Sequence, residues 1–292
     1  MDEREALAML ASELEGAGDD AAVIGDQVVT TDMLHETTDF PTGTTRYTAG
    51  WRAVGASLSD VAAMGARATA AVAAYGAPDL DREEIRAFVA GATDVCEAVD
   101  AAYVGGDLDG HEEFTVATTA LGDADDPVRR SGAEPGDAVC VTGTLGRSAA
   151  ALELFRNGER ERANDLFRFE PRVAAGCALA PDATAMMDSS DGLARSLHQL
   201  AAASDCGVDI DGDAVPIDDA VAEVAADDAE RREMGLFFGE DFELVVTLPE
   251  DRLDAAVERC PTPLSRVGTV TEVDVEIDGE PLPDRGFTHG EE

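Results

Sequence analysis

The sequence contains no lysine: all 21 basic residues are arginine, set against 62 aspartates and glutamates for a net charge of −41. That absence excludes two common ways of holding a nucleotide. A P-loop needs a lysine after its glycines, and a protein-kinase fold needs one on a strand. The shortage of positive charge also excludes nucleic acid and anionic membrane as general partners, because both would be repelled. Aromatic residues are scarce at 5 %, so the core must be built mostly from alanine, valine and leucine. No apolar run approaches the roughly twenty residues that a membrane helix requires. Met1-Asp2-Glu3-Arg4-Glu5 is acidic and lacks an apolar signal region, so the expected location is the cytoplasm.

Cysteine is sparse. Cys96, Cys140, Cys177, Cys206 and Cys260 are scattered, odd in number and without a Cys-x-x-Cys pair. This argues against a disulfide framework or a zinc knuckle and for buried thiols in a reducing compartment. His35, His111, His198 and His289 are equally dispersed, so a zinc site is not expected. What is abundant is acid. High net charge often signals disorder, but 45 % apolar content and regular strand and helix patterns oppose that here. Adaptation to a salt-rich cytoplasm is expected instead, since a Debye length of about 3 Å at molar salt screens self-repulsion.

The pattern predicts an α/β (α+β) chain of two domains, residues 1–125 and 126–292, joined near Gly122–Pro127. A helical stripe runs through Ala6, Leu7, Leu10 and Leu14. Gly25-Asp26 reads as a hairpin turn between two short strands, Thr48–Met64 as a helix rich in small residues, and Asp81 as the N-cap of a long amphipathic helix. Strands are expected at Ala68–Tyr75, Tyr103-Val104, Phe114–Leu121, Ala138–Val141, Thr184–Met187, Phe242–Leu248, Leu264–Val267 and Val273–Ile277.

In so acidic a chain an aspartate pair means little. The informative acids are those beside Gly, Ser or Thr at strand ends, where backbone can approach a ligand. Five places qualify: Gly18-Asp19-Asp20, Thr30-Thr31-Asp32, Ser57-Leu58-Ser59-Asp60, Gly105-Gly106-Asp107 and Asp188-Ser189-Ser190-Asp191-Gly192. Magnesium takes oxygen ligands, commonly one or two carboxylates with phosphates and water, so such a set suits metal-bound polyphosphate. Other readings stand beside it: Asp20 and Asp60 as caps, Asp191-Gly192 as a helix start, and Gly106–Gly110 as a turn or a calcium-loop fragment. Val141–Gly146 lacks the dinucleotide fingerprint and reads as a tight turn before a helix, close to where phosphate could sit. Without lysine, phosphate charge falls to metal ions and arginine, and Arg130 is the best placed charge stabiliser.

These motifs occur in a fixed order, followed by Arg130-Ser131-Gly132-Ala133, Val141-Thr142-Gly143, Asp188-x-Ser190-Asp191-Gly192-Leu193 and Gly239-Glu240-Asp241-Phe242-Glu243-Leu244. Together with Ser59-Asp60-Val61-Ala62-Ala63-Met64-Gly65, the chain resembles the thiamine-monophosphate kinase family over roughly residues 16 to 289. The resemblance implies ATP-dependent conversion of thiamine monophosphate to thiamine diphosphate, by direct in-line transfer with several Mg²⁺ ions. It also implies the aminoimidazole-ribonucleotide-synthetase-like fold, a homodimer in which N-terminal mixed sheets pair, and ATP sites near that interface. By the same resemblance Asp20, Thr30, Thr31, Asp32, Asp60, Asp107, Asp188 and Asp191 would be magnesium ligands. Gly106, Asp107, Arg130 and Ser190 would contact ATP, and Glu240 and Phe287 the thiamine moiety. No catalytic side chain is required, because an acceptor phosphate is already ionised near neutral pH, its second pKa being about 6.

One position departs from the family pattern. Where members usually carry His-Phe seven residues past the Thr-Thr-Asp aspartate, this chain reads Asp39-Phe40, with His35 four residues earlier. Asp39 is expected either to meet the amino group or the cationic ring of thiamine, or to cap the turn before Pro41. Two alternatives to the kinase reading remain: another ATP-using enzyme of the same superfamily, and a non-enzymatic acidic metal-binding protein. Selenophosphate synthesis fits poorly because the first cysteine is Cys96 and no lysine exists.

Overall fold

Gly25, at φ +71°, turns the chain as expected and joins β1 (Ala22–Ile24) to β2 (Gln27–His35) in an antiparallel hairpin. The short helix α1 (Glu36–Asp39) and the long helix α2 (Arg46–Ala63) follow, then β3 (Arg67–Ala77), α3 (Arg82–Ala98), β4 (Ala102–Gly110) and β5 (Thr115–Asp123). These strands form one mixed sheet in the order β1-β2-β5-β3-β4, in which β3 and β4 run parallel and the other neighbours antiparallel. The structure, a computed structural model, describes residues 17–286 and positions 9, 10, 13 and 14. Ala6 and Leu7 of the expected N-terminal stripe, and Phe287, lie outside the described residues.

The second half begins with β6 (Ala138–Thr142), α4 (Arg147–Arg156), α5 (Arg160–Phe167), α6 (Val173–Leu179) and β7 (Ala185–Asp188). It continues through α7 (Leu193–Ser204), β8 (Gly207–Ile210), α8 (Asp219–Val224), α9 (Asp228–Phe237) and β9 (Leu244–Leu248). α10 (Leu253–Arg259), β10 (Leu264–Thr271), β11 (Val275–Ile277) and β12 (Glu280–Pro281) close it. Its sheet has the order β12-β11-β8-β10-β6-β9-β7.

Helix α2 lies between the halves, packed against β2, β3 and β5 on one side and β7 on the other. Fourteen of its 18 residues are buried, which explains why it is written in alanine, glycine and serine. At its crossing with α3 the two backbones nearly touch. A Cβ at Gly50 would lie 2.1 Å from the Phe88 carbonyl oxygen, and one at Gly91 would lie 2.0 Å from that of Tyr47. The apolar core runs through the junction, with Leu58, Val61 and Met64 of the first half in one cluster with Met186, Leu244 and Val246 of the second. Asp81 caps α3 as expected, accepting from the amides of Glu83 and Glu84.

Strand alternation gives the first sheet two unlike faces. Thr30 and Asp32 on β2 point toward α2, whereas Thr31 and Met33 point the other way, and Met33 is 59 % exposed. On the edge strand β4, Asp107 pairs in register with Ala74, which faces outward between buried Ala73 and Tyr75. Asp107 therefore shares the open face with Thr31 and Met33.

Several expectations need correcting. Gly106–Gly110 is neither a turn nor a calcium loop but the end of β4, held by parallel pairing with β3. Gly122 and Asp123 stay in β5 opposite Val28 and Gln27, so the connection between halves starts two residues later, at Ala124. The helices α5, α8, α9 and α10 had no counterpart in the sequence pattern. Each is ten residues or shorter and rich in charge, so tertiary packing rather than a long apolar stripe stabilises it.

Candidate active site

The sheet, the central helix and the second half each deliver a carboxylate to one place. Asp20 enters from the segment before β1, Asp60 projects from the last turn of α2, and Asp188 is the final residue of β7. One carboxylate oxygen from each lies within 4.8 Å of the others. Asp60 accepts a hydrogen bond from Thr30 Oγ1 at 2.5 Å, and Asp32 accepts one from Ser57 Oγ at 2.5 Å. Ser57 in turn meets Thr118 Oγ1 at 2.7 Å. Arg130 forks onto Asp20 through Nε–Oδ2 at 3.0 Å and Nη2–Oδ1 at 2.9 Å.

Asp188 has no such partner. It is 1 % exposed, and among the described residues neither of its carboxylate oxygens finds a hydrogen-bond donor. Burial, then the charge of Asp20, pushes its pKa up to about 7, and the nearby hydroxyls of Ser59 and Ser190 and the Arg130 charge offset only part of that. Burial also holds Asp60 well above the ordinary range, with Asp32, Asp188 and Asp20 adding repulsion. Asp32 is raised by burial too, opposed by Ser57 and reinforced by the charge of Glu240. Arg130 keeps its proton firmly: burial works against its charge, but Asp20 followed by Asp188 and Asp60 outweighs burial. Clustered carboxylates with orphaned oxygens and hydroxyl neighbours are the donor set that a hard divalent cation prefers. The residues present fit magnesium.

Not every expected ligand joins them. Thr31 turns its hydroxyl to the Thr118 carbonyl oxygen on the open face of the sheet. Gly106 and Asp107 stand on β4, three strands from β2 in the sheet order, or about 14 Å at the usual strand spacing. Asp107 Oδ1 accepts from the amide of Leu108. Ser190 and Asp191 do stay close: they lie in the loop after Asp188, and the Ser190 carbonyl accepts from the Glu240 amide at 2.6 Å.

Beyond that loop opens a cavity of about 650 Å³ walled by Phe40, Leu152, Phe167 and Phe238, with Asp39 and Glu240 at its edge. Asp39 and Glu240 therefore line one space. Asp39 also closes the turn of α1, its Oδ2 accepting from the His35 amide and from Thr38 Oγ1, both at 2.7 Å. The His35 ring is engaged elsewhere, with Nδ1 3.0 Å from Thr115 Oγ1, and does not line the cavity.

The acidic run after Gly239 does more than its single expected role. Glu240 pairs with Arg52 at 2.5 Å. Asp241 accepts from the amides of Gly146 and Ser148, capping α4, with burial raising its pKa to about 7 against those bonds. Glu243 is gripped by Arg172 and by Thr142 Oγ1. A Cβ at Gly143 would lie 2.1 Å from Glu243 Oε1, so the glycine turn at 143–146 receives carboxylates rather than the phosphate suggested by its sequence. Arg52, Asp241, Glu243 and Arg172 went unrecognised in the sequence. The acids of the Gly-Glu-Asp-Phe-Glu-Leu stretch were visible there, but their arginine partners lie 71 and 188 positions away.

Residues 18–124 match the N-terminal domain and residues 134–278 the C-terminal domain of the AIR synthase related protein family. A thiamine-monophosphate kinase of Halobacterium salinarum is 65 % identical over 99 % of this chain and 100 % of its own. The chain belongs to the thiamine-monophosphate kinase family. Another thiamine-monophosphate kinase, from Methanospirillum hungatei, is 40 % identical over 99 % of both chains. A solved structure of AaThiL complexed with AMPPCP and TMP superposes with a TM-score of 0.89 at 27 % identity, covering 99 % of this chain and 97 % of that one. The chain is thus an enzyme, a kinase by family. No helix among the described residues is long and apolar enough to cross a membrane.

In the metal-free protein the raised carboxylates favour their protonated forms, so their contribution to stability is present in acid and is lost as pH rises from about 4 through 7. Magnesium competes with those protons. At about pH 8 in molar KCl, saturating Mg²⁺ should raise the melting temperature by about 5 °C, the scale for a few kcal/mol of binding in a chain this size. At about pH 5 the rise should nearly vanish. Asp188→Asn should melt higher than the metal-free wild type at the higher pH and respond little to Mg²⁺; an equal response in both proteins contradicts the site.

Proposed function

We propose that this chain transfers the γ-phosphoryl group of ATP to thiamine monophosphate, giving thiamine diphosphate, as a homodimer in a salt-rich cytoplasm. The observation that carries the reading is one juxtaposition. A buried carboxylate cluster stands beside a cavity with apolar walls and acidic edges, close enough for the charge of Glu240 to bear on Asp32. The cluster suits metal-bound polyphosphate, and the cavity suits a cationic aromatic ring.

Magnesium held by Asp20, Asp60 and Asp188, with Thr30, Asp32 and Asp191 close by, would supply the positive charge that lets two anionic phosphates meet. Arg130 holds Asp20 in place and offers its remaining N–H donors to the nucleotide. The N-terminus of α7, which has no side-chain cap, adds backbone amides beside Ser190 and Asp191. Glu240 and Asp39 orient the acceptor by facing its cationic ring. An oxygen of the acceptor phosphate then forms the new bond to the γ-phosphorus, in line with the breaking bond to the β–γ bridging oxygen, and ADP leaves. That oxygen is already ionised, so no side chain need remove a proton.

The open face of the first sheet supports the dimer. Two copies meeting there would cover Met33 and carry Gly106 and Asp107 of each toward the partner's nucleotide. The division of labour that we infer gives residues 1–125 most of the metal and ATP contacts and residues 126–292 the rest of the substrate site. The 41 excess negative charges and the exclusive use of arginine fit a protein whose self-repulsion is screened by salt.

In molar KCl with ATP and Mg²⁺, purified protein should convert thiamine monophosphate to thiamine diphosphate and release one ADP per product, followed by chromatography and a coupled assay. Slow ATP hydrolysis without diphosphate product would overturn the reading. Asp60→Asn and Asp191→Asn should each lose at least about 100-fold in kcat, as expected when transition-state charge stabilisation is removed, whereas Asp219→Asn on α8 should stay near wild type.

Asp39→Ala separates the two roles of that carboxylate. Loss of a substrate contact should raise the KM for thiamine monophosphate and leave the KM for ATP unchanged. A variant that is only less stable, with both constants at wild-type values, would restrict Asp39 to closing the α1 turn.

A further inference from the structure

Arg52 is 1 % exposed in the middle of α2, and its guanidinium reaches from the central helix to Glu240 at the edge of the acceptor cavity. Its Nη2 donates to Glu240 Oε2 at 2.5 Å and to the Glu240 carbonyl oxygen at 3.2 Å. Its Nη1 donates to the Phe167 carbonyl oxygen at 2.6 Å and to Ser148 Oγ at 3.3 Å. The plane lies over the Phe167 ring, with Cζ 3.6 Å from its centroid, and near Phe169 and Phe242, which stack on each other at 4.3 Å. Burial pulls the Arg52 pKa down, and Glu240, Asp241 and Asp39 oppose that pull.

We propose that Arg52 is a positioning residue for the acceptor: it fixes the Glu240 carboxylate at the cavity wall so that a cationic ring meets a pre-oriented negative charge. This rests on the cavity being the acceptor site. Stability is a weak reason to bury a lone arginine, because desolvation commonly offsets what its ion pair contributes. Positioning is a stronger reason. Glu240 sits at φ +62°, a conformation that side chains other than glycine rarely adopt, and its peptide is clamped on both sides. Its amide donates to the Ser190 carbonyl at 2.6 Å, and its carbonyl accepts from Ser148 Oγ at 2.7 Å. Arg52 completes the clamp at the carboxylate. It occupies Oε2, and the Glu240 side chain remains 24 % exposed. Arg52 thereby ties the acceptor wall to the loop that carries Ser190 and Asp191, through a single residue between them.

The test is a double-mutant cycle read by calorimetry in molar KCl, with thiamine monophosphate and AMPPCP titrated separately into wild type, Arg52→Met, Glu240→Gln and the double variant. Arg52→Met should weaken thiamine monophosphate binding by about 10-fold or more, the usual range for a lost charge-assisted contact, and change AMPPCP binding by less than about 2-fold. In the Glu240→Gln background the same substitution should change acceptor binding by less than about 2-fold, because two residues acting as one are not additive. Steady-state kinetics should agree, with KM for the acceptor rising far more than kcat falls. Should Arg52→Met not fold, Arg52→Lys carries the same cycle: it keeps the charge but cannot fork onto both Glu240 and Phe167. Equal losses for acceptor and AMPPCP, or additive effects in the cycle, overturn the proposal. If wild type binds AMPPCP but no thiamine monophosphate, the acceptor reading itself fails and the role of Arg52 falls with it.

Discussion

The mutual repulsion of Asp20, Asp60 and Asp188 is the constraint around which this molecule is arranged. Carboxylate oxygens within 4.8 Å of one another in a dry site are unstable as a free set, and neither oxygen of Asp188 has a hydrogen-bond donor among the described residues. Only a rigid surround can hold such a set, and three separate elements do so. A shared apolar core locks β2, α2 and β7 together across the two halves. The stability that packing contributes is spent holding together a donor set that fits a divalent cation, a common pattern at functional sites.

A second polar layer grows out of the same core, and the acids at 240, 241 and 243 have different roles in it. Glu240 faces the cavity and is held by Arg52, Asp241 caps α4, and Glu243 seats in Arg172 and Thr142. Backbone bonds from the 188–190 loop to the 240–243 segment join this layer to the carboxylate cluster. On the proposed reading, donor and acceptor sides of the reaction share one rigid seam, which would suit a transfer whose catalysis is mostly positioning.

Much of this was legible in the sequence because glycine, serine and threonine beside aspartate mark places where backbone approaches a ligand. Asp20, Asp60 and Asp188 stood out for that reason, and Asp39 and Glu240 followed from the family pattern. The residues that the fold keeps apart from the cluster, and those that the sequence did not signal, have specific causes. Adjacent residues on a strand face opposite ways, so Thr30 and Thr31, alike in sequence, part company at the sheet. Asp107 carries the same glycine signature as the others, yet its edge strand holds it on the far face. Arg52 gave no signal at all: within a helix of small residues it reads as an ordinary solvent-facing arginine, and its partner comes 188 positions later. The short helices α5, α8, α9 and α10 went unseen because they depend on contacts that only the folded chain provides.

The most direct measurement is anomalous diffraction from crystals grown with Mn²⁺, AMPPCP and thiamine monophosphate at high salt. Manganese shares the oxygen preference of magnesium and scatters anomalously. Peaks in contact with the carboxylates of Asp20, Asp60 and Asp188, with the nucleotide phosphates beside them and the thiazolium ring against Glu240, are the expected result. Ordered nucleotide with no peak at those three carboxylates, or manganese bound only at surface acids, would contradict it.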